Sequence, residues 1–256
     1  MARITLFLFC AMATALSLAA AAPPAASSDN AGAAPDCPPL AREEAASVLS
    51  GMVDNVTGVV PGPLPGFWEV DVSMGGKIYP VYMDCARKFV FQGQFLRLSD
   101  KQNVTGLRYA DLNRVDVAAI PLKDAILVGN RSSKRKVIVL SDPTCPYCVK
   151  LHAEIKKAAA SDPGSAFYVM PYPRNANDQA TYRKCLAVVC AKSEKVLDDA
   201  FTGKPLPEPS CKSNAVKETA RLAQRLQIQG TPAMILPDGR VVSGYMDADA
   251  LLALTR

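Results

Sequence analysis

The sequence predicts two modules, a small α+β unit followed by a larger α/β domain that carries a helical insertion. Three observations lead there. From Val137 the chain runs as a continuous apolar strand, a helix, a second strand, a helical stretch, a hairpin and a last helix, which is an α/β order. Ahead of it, one helical stretch is followed by short aromatic and β-branched runs separated by polar or Gly-Gly turns, the pattern of a small antiparallel sheet. Between the first strand and helix of the larger domain lies "SDPTCPYCVKLH", Ser141–His152.

Length and composition set the frame. The chain has 256 residues, 49% of them hydrophobic, enough for one or two packed domains. The net charge of +5 favours solubility and does not mark a nucleic-acid surface. The run "RSSKRK" reads as a solvated linker end, and "KETARLAQRLQ" as an ordinary amphipathic face, so no nucleic-acid partner is expected. Residues 1–22 have one early arginine, an apolar run and a small-residue ending, the form of a secretory signal peptide. Phe9 ahead of Cys10 argues against a lipoprotein cysteine. No later stretch approaches the roughly 18 apolar residues of a membrane span.

The elements follow in order. Residues 23–36, "PPAASSDNAGAAPD", read as a flexible lead-in. "LAREEAASVLSGMV" has helical spacing, with Leu40, Val48, Leu49 and Met52 apolar, and "PGPLPG" breaks it. "FWEVDVSM", "KIYPVYMD" and "KFVFQGQFLRLSD" are the strands. Residues 37–108 thus form a unit too small for a comfortable independent core, which suggests dimerisation. Trp68 and the strand aromatics read as core or interface residues. Residues 109–136 read as a helical linker interrupted at Pro121. In 137–256, "VIVLS" and "SAFYVMPY" are strands, "CVKLHAEIKKAAA" is a helix, about 176–228 is the helical insertion, "PAMILPDGRVVSGY" is a hairpin, and "DADALLALTR" closes the chain.

The CxxC carries the chemistry. Cys145 sits at the start of a helix with Pro146 at the first helical position, where its missing N–H is no loss. The free N–H groups and positive end of the helix then face the Cys145 sulfur and lower its pKa. The thiolate is the species that attacks a disulfide. Cys148, one turn on, is placed to close a small disulfide and to resolve a mixed one. A purely structural disulfide here would remove little unfolded-chain entropy. Zinc is the rival, but a structural site needs four Cys or His ligands. The other cysteines are five and 21 residues apart and there is one histidine. No metal or organic cofactor is expected.

A CxxC after a strand points to thioredoxin-like redox chemistry. "GTPAMI", residues 230–235, adds a second signal. In thioredoxin-like folds a cis proline at the head of a strand faces the CxxC, and Thr231–Pro232 fits that position. His152, one turn beyond Cys148, reads as half-exposed helix surface, with tuning of the thiolates as the alternative. Asp142 reads as a loop hydrogen-bonding residue, with proton relay as the alternative.

Together "DPTCPYCVKLH", "CAKSEKVLDDAFTGKPLPEPSC", "QGTPAMILPDGRVVSGY" and "VYMDCARKFVFQGQFLRLSDKQNVT" resemble the DsbC/DsbG family of bacterial periplasmic disulfide isomerases over nearly all of the mature chain. The resemblance implies a periplasmic, V-shaped homodimer with two thioredoxin-like domains facing a shared cleft. Its clients would be misfolded disulfide-containing exported proteins, with reduction by the membrane protein DsbD and weak chaperone activity. By position it makes Cys145 the nucleophile, Cys148 the resolving cysteine, Thr231 and Pro232 the substrate-facing loop, and Cys190–Cys211 a structural disulfide. The dipeptide Pro146–Tyr147 is closer to DsbG than to DsbC, which typically has Gly-Tyr. This leaves open a reductase of sulfenylated single cysteines; a redox-independent holdase and a monomeric oxidase are further alternatives. Removing Cys10 leaves seven cysteines, and in an oxidising compartment most should pair. Two helical residues five apart stand roughly 8 Å from each other, beyond disulfide reach. We therefore expect Cys37 to pair with Cys85 and Cys185 to be free and buried.

Overall fold

The computed structural model describes residues 37–255; the expected signal peptide and lead-in, residues 1–36, lie outside them. The amino-terminal module begins with helix α1 (Arg42–Val48). Strands β1 (Asn55–Pro61), β2 (Phe67–Met74), β3 (Lys77–Asp84) and β4 (Val90–Phe91) follow. They form an antiparallel sheet in that order. One sheet face presents Val56, Val70, Val72, Val81 and Met83, which pack with Leu40, Ala45 and Leu49 into a small core. This is the period-2 alternation of a β-strand. The opposite face carries Glu69, Asp71 and Tyr82, all buried, beneath helix α2 (Val104–Leu112). Arg108 of α2 reaches Glu69 at 2.9 Å and Asp71 at 2.6 Å. Ahead of α2, strands β5 (Leu96–Arg97) and β6 (Gln102–Asn103) form a separate ribbon.

Strand β1 was not expected: no strand is assigned to "NVTGVVP" from the sequence, yet it pairs with β2 and its Val56 is core. The preceding helix is correspondingly short, and Val48 and Met52 are exposed rather than facing the core.

The linker also departs from expectation. Only the start of 109–136 is helical. After α2 come a single 3-10 turn at Val117–Ala119 and strand β7 (Ile126–Gly129). "ILVG" puts Ile126 and Val128 into the core of the larger domain, and pairing with that sheet overrides any local helical tendency. The sheet therefore starts ahead of Val137.

That sheet has five strands in the order β11–β10–β8–β9–β7, built from β8 (Arg135–Ser141), β9 (Ser165–Pro171), β10 (Ala233–Ile235) and β11 (Val241–Ser243). Strands β8 and β9 are parallel, as their crossover helix α3 (Pro146–Ser161) requires; the other pairings are antiparallel. Both faces are covered. Val137 and Val139 point to one side with Leu151, Ile155 and Phe167, while Ile138 and Leu140 point to the other with Val216 and Leu222. Helices α4 (Gln179–Ala191), α5 (Glu194–Phe201) and α6 (Ala215–Arg225) lie between β9 and β10, and α7 (Ala248–Thr255) ends the described chain.

Candidate active site

The carboxyl end of β8, the first turn of α3 and the loop leading into β10 meet at one point. Cys145 is the N-cap of α3, with extended backbone (φ −80°, ψ 123°), and Pro146 opens the helix. No side chain caps this end, so the first-turn N–H groups face the Cys145 sulfur. Across from it, the Thr231–Pro232 peptide bond is cis, and the Thr231 carbonyl oxygen lies 3.4 Å from Cys145 Sγ, in reach of the thiol proton. The Thr231 hydroxyl is buried with no partner, and is free to donate to sulfur once the thiol ionises.

The two cysteines have opposite environments. Burial resists ionisation of Cys145, but the N–H of Cys148, the Thr231 hydroxyl, the Cys148 thiol and the N–H of Tyr147 outweigh it and hold this thiol below its ordinary pKa. Cys148 is fully buried. Burial pushes its thiol up to about 11, against hydrogen bonds from Ser141 and the Asp142 N–H; that N–H lies 3.4 Å from Cys148 Sγ. The Cys145 sulfur thus ionises more readily than the Cys148 sulfur. Tyr147 is 61% exposed beside them.

Asp142 is buried. Its Oδ1 accepts from the Thr144 N–H at 2.8 Å and the Thr144 hydroxyl at 2.7 Å, and its Oδ2 accepts from the Arg174 N–H at 2.8 Å. It ties the loop ahead of the CxxC to the loop after β9. His152 is not half-exposed surface: it is buried, because α5 packs over it. Its Nε2 lies 2.8 Å from Asp198 Oδ1 and its ring stacks on Phe201 with centroids 4.5 Å apart. Burial lowers its pKa despite the Asp198 carboxylate. Nothing in the sequence links Asp198 or Phe201 to His152, since they come from a helix more than forty residues away.

Disulfides join Cys37 to Cys85 and Cys190 to Cys211, with Cα atoms 5.1 and 5.5 Å apart. Cys145, Cys148 and Cys185 are free and buried, and burial drives the Cys185 thiol strongly upward. Only the first two adjoin the Thr231–Pro232 loop.

Comparison with known proteins identifies both modules. Residues 122–256 match the family described as thioredoxin-like domain, and residues 20–106 the disulfide bond isomerase protein N-terminal domain. The thiol:disulfide interchange protein DsbC of Salmonella typhimurium is 32% identical over 193 residues, spanning 74% of this chain and 76% of the relative. The chain belongs to the DsbC family. It is a thiol–disulfide oxidoreductase of thioredoxin-like fold. The DsbC of Escherichia coli strain K12 is 29% identical over 77% of this chain and 80% of its own. A solved disulfide interchange protein from Neisseria gonorrhoeae is 27% identical, with a TM-score of 0.45 over 54% of this chain and 99% of that one.

Proposed function

We propose that this DsbC-family protein isomerises non-native disulfides in exported proteins of the periplasm. The observation that carries the reading is the pairing of an activated thiol at the α3 N-cap with a buried, proton-retaining thiol one turn on, beside the Thr231 carbonyl. The Cys145 thiolate attacks one sulfur of a wrong client disulfide. A Cys145–client disulfide forms and the other client sulfur leaves as a thiolate, which takes a proton. A second client thiol then attacks, restores Cys145 and leaves the client rearranged with no net redox change. If none arrives, Cys148 attacks Cys145, the client leaves reduced, and the Cys145–Cys148 disulfide must be reduced again by a DsbD-type membrane protein. Thr231 and Pro232 present backbone to the client. The amino-terminal module, with Phe89, Phe91, Leu96 and Leu98 exposed, forms a homodimer in which two such sites share a cleft.

The test is refolding of a scrambled multi-disulfide protein, with Cys145→Ser as control. Recovery of native client that depends on Cys145 supports the reading; recovery that survives Cys145→Ser leaves a holdase.

Pro146 favours a second reading by its likeness to DsbG, a reductase of sulfenylated single cysteines. Under it, a sulfenylated single-cysteine client turns over faster than a scrambled one.

A further inference from the structure

The turn between β10 and β11 does more than close a hairpin. Gly239 donates to the Leu236 carbonyl at 3.0 Å, and Leu236 donates to the Arg240 carbonyl at 2.9 Å, which shapes the turn. The outward carbonyl of Gly239 accepts from the Val115 N–H at 2.8 Å. Val115 lies just beyond α2, the last helix packed on the amino-terminal module. The approach is close enough to demand glycine. The Gly239 φ is +90°, and a Cβ there would overlap the Val115 carbonyl oxygen and stand 3.1 Å from the Val115 nitrogen. Arg114 flanks the contact, its guanidinium 3.4 Å from the Asp238 carboxylate. Both groups are well exposed, so that ion pair contributes little; the backbone bond and the steric fit are the main contact.

On its other side α2 is part of the amino-terminal module. Asn113 brackets the Ile78 peptide, accepting its N–H at 3.0 Å and donating to its carbonyl at 2.7 Å. Tyr109 packs on Tyr79 with ring centroids 5.2 Å apart, and Arg108 holds Glu69 and Asp71. The module's orientation thus reaches the catalytic sheet at Gly239. From there β10, three residues long, leads back to Pro232, about 13 Å away along the strand.

We infer that Gly239 and the Val115 amide form a latch that fixes the catalytic domain on the dimerisation module and so makes the enzyme selective for protein-sized clients over small disulfides. The inference rests on the isomerase reading. A large client must meet Cys145 and the shared cleft at once, and that needs a defined orientation. A small disulfide needs only the thiolate.

The experiment uses the full mature chain and two independent variants, Gly239→Ala, which wedges the contact, and Val115→Pro, which removes the donor. Three quantities are read: refolding of a scrambled multi-disulfide protein, reaction with a small aromatic disulfide, and hydrogen exchange at Val115 in wild type and Gly239→Ala. Refolding is expected to fall about ten-fold in both variants. Reaction with the small disulfide stays within two-fold, and Val115 exchange accelerates in Gly239→Ala. Folded variants that refold the client at the wild-type rate overturn the latch's role in selectivity, and a Val115 amide that exchanges freely in the wild type overturns the latch itself. Wild type that fails to refold the client while its Val115 amide is protected overturns the isomerase reading, and the selectivity inference with it.

Discussion

Cys145 Sγ and the carbonyl oxygen of Thr231 stand 3.4 Å apart, although 86 positions separate them in the chain. The contact exists because β10 lies beside β8, so the loop entering one strand meets the helix leaving the other. It puts the Thr231–Pro232 backbone within reach of the Cys145 sulfur, with the Thr231 hydroxyl buried and unpartnered.

Alkylation should therefore single out Cys145. The thiolate is the reacting species, and Cys145 is held below its ordinary pKa while Cys148 is pushed up to about 11 and Cys185 is raised by burial. Reduced protein treated briefly with iodoacetamide at pH 7 is expected to label Cys145 at least about ten times faster than either other free thiol. The rate rises with pH as the thiolate forms and levels off at lower pH than for a free cysteine. Peptide mapping that finds Cys148 labelled first would reverse the assignment of attacking and resolving sulfur.

Removing the Cys190–Cys211 bridge should destabilise the helical insertion. It joins the end of α4 to the segment before α6 across 21 residues. A closed loop of that length is worth about 3 kcal/mol through the unfolded chain. The double variant Cys190→Ser, Cys211→Ser is expected to unfold at lower urea, with an unfolding free energy about 3 kcal/mol smaller, and with Cys145 alkylation unchanged in rate. Loss of thiol reactivity together with stability would show that the insertion supports the site directly.

Much of this was legible in the sequence, for local reasons. The α3 N-cap is written in Cys145–Pro146, and the unbroken apolar run Val137 to Leu140 marks a strand covered on both faces. What escaped was decided at a distance. "ILVG" becomes β7 only because the edge of β9 is open to it. "NVTGVVP" is a strand because β2 lies across the PGPLPG loop. His152 falls in phase with the buried stripe of its own helix, Cys148, Leu151 and Ile155, but as a polar residue it reads as surface until α5 is seen packed over it.

His152 should make stability depend on pH. Burial lowers its pKa in the fold, outweighing the opposite pull of Asp198; Lys156 opposes the charge, while Glu194 favours it. A group with a depressed folded pKa contributes stability that is fully present above its unfolded pKa, about 6.5, and is lost as pH falls toward its folded value. Wild type is expected to lose melting temperature between pH 7.5 and pH 5. His152→Gln, which cannot take up a proton, should lose about 2 °C less or better over that range. Equal slopes in the two proteins would mean that His152 does not titrate on unfolding.

Arg108 should be the most sensitive charge in the amino-terminal module. It is the cation that meets both Glu69 and Asp71 on the buried face of β2, and both carboxylates are over nine-tenths buried. Removing one partner of such a cluster leaves uncompensated buried charge, at a cost of about 3 kcal/mol. Arg108→Met keeps the apolar stem and deletes only the charge. The Glu69 pKa is already raised, by burial first, with Arg108 opposing and Asp71 adding to the rise. Without Arg108 it rises further. A raised carboxyl contributes stability that is present below its unfolded pKa and is lost as pH rises through its folded value. Urea unfolding of Arg108→Met should therefore show the deficit at pH 8 and recover part of it at pH 5, as Glu69 takes up a proton. A deficit that is the same at both pH values would assign the loss to packing of the guanidinium against α2 rather than to its charge.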